Sequence, residues 1–246
     1  MNSNVGATHK EKNIYLWLTK FTNRNKKPEK TFCGTESRSL RTPSTDTTKH
    51  IATMNHPIRF TTPEEAVKVI KSGDHVHLSS VASVPQILVR AMTARGEAGE
   101  LQHVHIHHLH TEGEALYAVP EMEGIFQLDS FFVGGNVRNI TQQGFADYIP
   151  VFLSETQRLY RDGILPCNVA MIQVSTPDRH GYVSLGTSVD ATLAAVECAD
   201  TVIAVVNRHV PRSFGDSFIH TSQIDLFVED DTPLIEEHFA EPNDLE

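Results

Sequence analysis

The chain has 246 residues, 14 of them histidine, and a formal net charge of −10 at pH 7. The charge is divided: residues 1–53 hold 10 Lys and Arg against 4 Asp and Glu, whereas residues 54–246 hold 11 against 27. So acidic a body excludes nucleic acid as an expected partner, because phosphate binding needs a basic surface. No apolar run approaches the length of a membrane span, so we expect no membrane partner either.

Residues 1–53 differ from the rest of the chain. They are basic, rich in Ser and Thr and without apolar periodicity, so we predict that they are disordered and that residues 54–246 form one α/β domain. Cys33, Cys167 and Cys198 are too widely spaced for a disulfide framework, which favours a reducing compartment. We therefore expect a cytoplasmic protein. The alternative is a mitochondrial one, because the composition of residues 1–53 also suits a transit peptide.

The ordered part begins with a predicted helix, which Thr62 caps and Gly73 ends. A short strand around residues 76–78 follows. The next helix, Gln86 to Arg95, carries apolar residues spaced for one buried face.

The later elements continue this alternation. In order they are a strand over 101–109, a helix or tight loop near Glu112, a strand over 125–133, helices over 140–145 and 154–160, a strand over 169–174, a helix over 189–198, and strands over 201–206 and 225–229. Strands that alternate with helices predict an open, mostly parallel sheet with helices on both faces, in three layers.

The loop Ser175–Gly181 begins at the carboxyl end of the strand over 169–174. Open α/β sheets place ligands there, so Asp178 or His180 is a candidate general base. The alternative is a plain connection, in which Asp178 turns the backbone and Gly181 supplies a positive φ. The residues favour this second interpretation, a strand-to-helix turn.

Histidines are concentrated on two predicted strands. Along the second strand His103, His105 and His107 face one way and His108 and His110 the other, with His75 and His77 on the strand before. Neighbouring strands of this kind are able to present four imidazoles to a metal. No carboxylate or Cys sits at a matching spacing, and a buried sheet also holds neutral, hydrogen-bonded imidazoles. We therefore predict no metal site.

A glycine pair follows the strand over 125–133, in Gly134-Gly135-Asn136, where backbone amides are able to approach a phosphate or acyl oxygen. The pattern matches neither GxGxxG nor a Walker A loop. Arg138 and Arg212 follow strand ends and are the basic residues best placed to meet an anion. We interpret both as surface salt-bridge partners.

Several stretches together resemble the acetyl-CoA hydrolase/transferase family of family I CoA-transferases, and are most similar to its 4-hydroxybutyrate and acetate CoA-transferase members. The stretches are HLHTEGEA (108–115), FFVGGNVR (131–138), GFADYIPVFLSE (144–155), VSTPDRHGYVSLGTSVD (174–190) and NRHVPRSFGDSFIHTSQID (207–225). They span nearly all of residues 56–240. The resemblance implies a CoA-transferase-like α/β fold.

The resemblance also implies an activity: transfer of CoA from an acyl-CoA such as acetyl-CoA to a small carboxylic acid such as 4-hydroxybutyrate or acetate. A glutamate of the family's second half carries CoA as a glutamyl thioester. The chain resembles the first half only, so we assign no catalytic residue, and Glu112 and Glu114 are not promoted to nucleophile. Thr111, Ser80 and Ser83 are the expected wall of the substrate pocket.

Coenzyme A is thus expected as a substrate, with no covalently bound cofactor. The expected partners are the acyl-CoA and carboxylate substrates, the C-terminal catalytic half and, in the full-length enzyme, a second copy in a homo-oligomer. One alternative is a catalytically inactive truncated paralogue that acts as a binding or subunit module. Another is a sugar-phosphate isomerase-like protein, which shares the sheet architecture, but the clustered basic residues such a protein needs are missing.

Overall fold

The computed structural model describes residues 58–236. Predictions that concern residues 1–53, their disorder and the transit peptide, lie outside the described residues. The boundary of the α/β domain at residue 54 and the cellular location therefore stay predictions. None of the helices among residues 58–236 is long and apolar enough to cross a membrane.

Ten strands are present in the described part of the chain. They are β1 (Phe60–Thr61), β2 (His75–Leu78), β3 (Val104–His108), β4 (Phe126–Ser130), β5 (Ala146–Tyr148), β6 (Val169–Val174), β7 (Tyr182–Ser184), β8 (Thr201–Asn207), β9 (Phe218–His220) and β10 (Leu226–Asp230). Eight of them form one sheet in the order β1-β10-β8-β6-β2-β3-β4-β5. Every neighbouring pair in it is parallel. β7 and β9 form a separate antiparallel ribbon.

Five α-helices connect these strands. They are α1 (Pro63–Ala66), α2 (Gln86–Glu97), α3 (Arg138–Gln143), α4 (Thr156–Arg161) and α5 (Thr192–Cys198). Short 3-10 turns cover Val67–Val69, Pro120–Met122, Leu153–Glu155 and Thr221–Gln223. The predicted α/β fold with a mostly parallel sheet is therefore confirmed.

The burial of β6 on both of its faces explains why the sheet lies between two layers of helices. All six residues of β6 are buried, and they alternate between two cores: Val169 and Met171 pack on one face, while Ala170, Ile172 and Val174 pack on the other. α2 covers the first face and α5 the second. A parallel strand between two helical layers must be apolar on both sides, which is the pattern the sequence carries there.

The strand order reverses between β2 and β6. From β2 the chain proceeds outward through β3, β4 and β5, and from β6 it proceeds to the other edge through β8 and β10. Such a reversal opens a crevice outside the carboxyl ends of the two central strands, because their following loops leave in opposite directions. The crevice after β2 and β6 is the place where this fold positions a ligand.

Several predicted boundaries are wrong. The first helix ends as a 3-10 turn at Val69 and does not reach Gly73. The loop Ser175–Gly181 leads into strand β7 and not directly into a helix, and α5 begins only at Thr192. Four strands, β1, β5, β7 and β9, have only two or three residues each. They are extended because they pair with segments distant in the chain, and a local sequence pattern does not report such pairing.

Candidate functional site

The loops after β2 and β3 form the floor of the crevice at the carboxyl ends of the parallel strands. We call this end of the sheet the carboxyl edge. Val81, with φ +52°, pairs in parallel with Thr111, and its amide donates to the His110 carbonyl at 2.8 Å. The two loops therefore continue the sheet for a short distance beyond its strands. This pairing brings the predicted site residues Ser80, Ser83 and Thr111 to the same edge.

Ser80 is buried, and its hydroxyl both accepts and donates a hydrogen bond. It accepts from the Leu109 amide at 3.3 Å and donates to Asp190 Oδ1 at 3.3 Å. Asp190 also accepts from the Ala191 amide and lies 3.5 Å from Thr192 Oγ1. Burial raises the pKa of Asp190, and these hydrogen bonds oppose the shift. The carboxylate thus ties the loop after β2 to the start of α5.

His77 extends this hydrogen-bond network from Thr192 into the core. Its Nε2 lies 3.0 Å from Thr192 Oγ1 and its Nδ1 lies 3.0 Å from the Tyr160 hydroxyl. A carboxylate only accepts, so Thr192 donates to Asp190 and accepts from His77 Nε2–H, which leaves Nδ1 to accept from Tyr160. Burial lowers the pKa of His77 to about 3, so the ring is neutral, as this assignment requires.

Ser83 and Thr111 are also buried, and both hydroxyls are bonded within the protein. Ser83 Oγ lies 2.5 Å from Thr187 Oγ1. Thr111 Oγ1 lies 3.2 Å from the Tyr117 hydroxyl and accepts from Asn136 Nδ2 at 3.3 Å. The structure therefore brings all three predicted residues to one edge with their hydroxyls turned to protein partners. Their role as substrate contacts stays a prediction.

The glycine pair packs against this floor. A Cβ on Gly134 would lie 3.0 Å from Asn136 Oδ1 and 3.6 Å from the Thr111 carbonyl, whereas one on Gly135 would meet nothing within 4 Å. Asn136 also donates to the Gly113 carbonyl at 3.2 Å. A side chain at position 134 would therefore crowd the Asn136 amide and pack against the loop after β3, whereas Gly135 faces open space.

Three carboxylates in the loops at this edge have polar neighbours within the domain. Glu114 pairs with Arg90 at 3.1 Å, Glu112 lies 3.8 Å from His110 Nε2, and Asp190 is held by the hydrogen bonds described above. None of these three groups is presented as a free nucleophile.

The loop after β6 is a turn whose centre is Asp178. Asp178 Oδ1 accepts from the amides of His180 and Tyr182 at 2.8 and 2.9 Å, and Gly181 has φ +80°. These amide hydrogen bonds lower the pKa of Asp178. Arg212 donates to Asp178 Oδ2 at 3.1 Å, so the salt-bridge prediction for Arg212 is confirmed. His180 is exposed at the surface.

Arg138 behaves differently from Arg212. It begins α3, is exposed, and forms no ion pair with another described residue, so its role as a salt-bridge partner stays a prediction. A sequence does not report which acidic side chain lies across a surface, which is why the two arginines could not be separated beforehand.

A second polar group lies within β2, β3 and β4, on the sheet face that α4 and α5 cover. The strand register sets His75 beside His105 and His77 beside His107, and Asp129 follows next to His107. His75 Nδ1 lies 3.1 Å from His107 Nε2, and His105 Nδ1 lies 2.8 Å from Asp129 Oδ2. No carboxylate sits at a matching spacing in the sequence, but the sheet brings Asp129 to these histidines from a third strand.

The same contacts shift the pKa values in this group. Burial and the neighbouring imidazoles lower the pKa of His75 to about 4, and the hydrogen bond to Asp129 raises the pKa of His105. Burial acts to raise the pKa of Asp129, but hydrogen bonds from His105 and His107 outweigh it and lower that pKa to about 2. Asp129 is therefore ionised at neutral pH.

The expected facing of the other histidines is partly wrong. His103 precedes β3 with φ +54° and does not belong to the strand's inner row. His108, at the end of β3, is buried against the Tyr117 ring, and burial lowers its pKa to about 3. Asp190 and Asp129 are the residues that sequence reasoning missed. Asp190 lies inside the predicted helix over 189–198 and Asp129 inside the predicted strand over 125–133, and neither position signals the partners that come from other segments.

Comparison with known proteins identifies the relatives of this chain. The family model described as the acetyl-CoA hydrolase/transferase N-terminal domain matches residues 45–236. The 4-hydroxybutyrate coenzyme A transferase of Clostridium kluyveri is 39% identical over 178 residues, which are 72% of this chain and 41% of the relative. The succinyl-CoA:acetate/propanoyl-CoA:succinate CoA transferase of Fasciola hepatica is 38% identical over 161 residues, 65% of this chain and 33% of the relative.

Solved structures agree with these matches. RipA from Yersinia pestis superposes with a TM-score of 0.70 at 29% identity, over 76% of this chain and 45% of that one. The 4-hydroxybutyrate CoA-transferase of Porphyromonas gingivalis gives 0.60 at 31% identity, over 73% and 41%. The chain thus spans about two fifths of the length of most of these relatives.

Proposed function

The chain belongs to the acetyl-CoA hydrolase/transferase family, and on that premise we propose that it forms the N-terminal half of an enzyme that transfers CoA from an acyl-CoA to a small carboxylate. The match of the N-terminal family model to residues 45–236 carries this proposal. Acetyl-CoA as donor and 4-hydroxybutyrate or acetate as acceptor are the substrates we propose, in line with the Clostridium kluyveri relative.

The proposed reaction uses a glutamate that lies in the part of the relatives that these 246 residues do not match. Its carboxylate attacks the thioester carbonyl, which gives a mixed anhydride and CoA thiolate. The thiolate then attacks the glutamyl carbonyl, forming glutamyl-CoA and releasing the first carboxylate. The acceptor carboxylate reverses these steps and leaves with CoA, so the sequence is ping-pong.

The role we propose for the described residues is to build one wall of the pocket at the carboxyl edge. Ser80 holds the loops after β2 and β3 together by accepting from the buried Leu109 amide, and Thr111 ties the loop after β3 to the loop after β4 by accepting from Asn136. A wall fixed in this way orients the acyl group without large rearrangement when the second half closes over it, which lowers the entropic cost of reaching the reactive geometry.

The test is complementation. The purified chain, supplied with acetyl-CoA and 4-hydroxybutyrate, is expected to form no 4-hydroxybutyryl-CoA, as measured by mass spectrometry of the CoA esters. Addition of the segment of the Clostridium kluyveri transferase that extends beyond the matched region is expected to give turnover with parallel double-reciprocal plots. Robust turnover by the chain alone would contradict the proposal.

A matched pair of variants tests the wall in the complemented enzyme. Thr111→Val keeps the side-chain shape and removes the hydroxyl that Tyr117 and Asn136 contact, so we expect a raised KM. Thr176→Val, at an exposed position, is expected to behave as the unmodified chain. Formation of a complex with the added segment but no turnover would instead favour the alternative, an inactive binding or subunit module.

A further inference from the structure

The polar cluster on β2, β3 and β4 takes no part in the proposed function, and it is unusual for its position. In each of the three strands, alternate side chains point to one face, and on that face the register aligns His75 with His105 and His107 with Asp129. Central strands of a parallel sheet normally place aliphatic side chains there. Three imidazoles and a carboxylate at one spot need a chemical reason.

The nitrogen atoms of this cluster converge. One ring nitrogen from each of His75, His105 and His107 lies within 4.8 Å of the other two. The closest pair, His75 Nδ1 and His107 Nε2, is 3.1 Å apart, and Asp129 Oδ2 lies 3.4 Å from the same His107 nitrogen. Two nitrogens bound tetrahedrally to one zinc ion at roughly 2.0–2.1 Å lie about 3.4 Å apart, so these separations suit a shared cation.

From this geometry we infer that His75, His105 and His107 form a binding site for a divalent cation of the zinc class, with Asp129 as the carboxylate that orients His105. Imidazole nitrogen is a preferred ligand of zinc and of the neighbouring transition metals, whereas magnesium and calcium require oxygen. A carboxylate that accepts from one ring nitrogen, as Asp129 does from His105 Nδ1, fixes the tautomer and leaves Nε2 for a metal.

The partial exposure of two of the histidines gives a cation access to the cluster and leaves room for a ring to rotate. His75 and His105 are about half-buried, so a cation reaches the cluster from solvent, while His107 is buried and fixes the inner side. In the structure the rings of His75 and His105 stack, with centroids 4.5 Å apart and 13° between their planes. Lone pairs in parallel stacked rings do not meet, so coordination requires one of these two rings to turn, and their partial exposure permits it.

The proposed ligands are distinct from the residues of the carboxyl edge. They lie within β2, β3 and β4, whereas Ser80 and Thr111 lie in the loops that follow β2 and β3. A bound cation therefore stabilises the sheet by linking β2 to β3, and the stabilisation grows with free metal as RT ln(1 + [M]/Kd). The inference holds whether or not the proposed CoA transfer is correct.

The experiment uses the full 246-residue chain, free of any affinity tag and treated with a chelator. It is titrated with Zn²⁺ against a chromophoric competitor, and with Co²⁺ while the visible absorption of tetrahedral cobalt is followed. We expect one equivalent bound with micromolar or tighter affinity, and a melting temperature that rises with Zn²⁺.

Because the chain has 14 histidines, variants decide where the cation binds. The double variant His75→Ala/His105→Ala, at half-exposed positions, is expected to lose the cobalt spectrum and the thermal shift, and Asp129→Asn to weaken binding about 10–100-fold. His180→Ala, at an exposed position outside the cluster, is expected to bind as the unmodified chain does. The inference is overturned if the unmodified chain binds no zinc below about 100 μM, or if the double variant binds as tightly as the unmodified chain.

Discussion

The hydrogen bond between Tyr160 and His77 gives the sharpest test of how the core tolerates its polar residues. Tyr160 is 1% exposed, and its hydroxyl lies 3.0 Å from His77 Nδ1. Tyr160→Phe removes one oxygen and keeps the ring that packs on Phe131. The change therefore opens no large cavity, and its main effect is to leave a buried imidazole nitrogen without a partner.

The expected loss of stability comes from that unpaired nitrogen. A buried polar atom left without its hydrogen bond costs about 1–3 kcal/mol. In a domain of this size each kcal/mol lowers the melting temperature by about 2–4 °C. Urea unfolding followed by circular dichroism measures the loss, and the m-value is expected to stay constant because the surface exposed on unfolding hardly changes.

Two further variants separate the hydrogen bond from the packing. Tyr148→Phe makes the same chemical change at a residue that is 50% exposed, and we expect it to cost less than about 0.5 kcal/mol. In the double variant His77→Leu/Tyr160→Phe no unpaired nitrogen remains. Its loss of unfolding free energy is therefore expected to be smaller, by at least about 1 kcal/mol, than the sum of the losses in the two single variants. Additive losses, or a Tyr160→Phe effect no larger than that of Tyr148→Phe, would refute this account of the core.

Two more predictions concern pH and backbone conformation. The pKa values of His77 and His108 are both lowered by burial from 6.5 to about 3 in the folded protein. Below pH 6.5 the unfolded chain takes up protons that the folded chain refuses, so the unfolding free energy of chelator-treated protein is expected to fall toward pH 3, by up to about 1.4 kcal/mol per pH unit for each group. Urea titrations at several pH values measure this, and a flat profile over that range would contradict it. Gly186→Ala is expected to destabilise more than Gly215→Ala, by about 1–3 kcal/mol in the same urea assay. Both glycines have positive φ, but only a Cβ on Gly186 overlaps the side chain of Val210. Equal losses in the two variants would show that backbone strain alone decides the effect.

The long apolar strands were predictable because burial on both faces produces an apolar run in the local sequence. β6 and β8 are almost entirely buried, and both were found within one residue of their bounds. β7 and β9 have three residues each and become strands only by pairing with one another across a long connection. No local pattern specifies such a pairing.

The candidate site also contains residues that the sequence predicted and partners that only the structure shows. Ser80, Ser83 and Thr111 were predicted as a pocket wall from the family resemblance, and of the three only Thr111 lies in one of the stretches that carry it. Their partners, Asp190 and Asn136, come from other loops. The hydroxyls therefore point to protein atoms for a reason that only the packed loops supply.

By itself the sequence determined the α/β class, the central strands and the family, because hydrophobic periodicity and contiguous motifs are local properties of a chain. The tertiary structure alone decided that the Asp129 carboxylate joins His75, His105 and His107. Four side chains on three strands meet through the register of the sheet. That register is set by hydrogen bonds between segments far apart in the chain, and a one-residue slip of any one strand would turn its side chains to the opposite face.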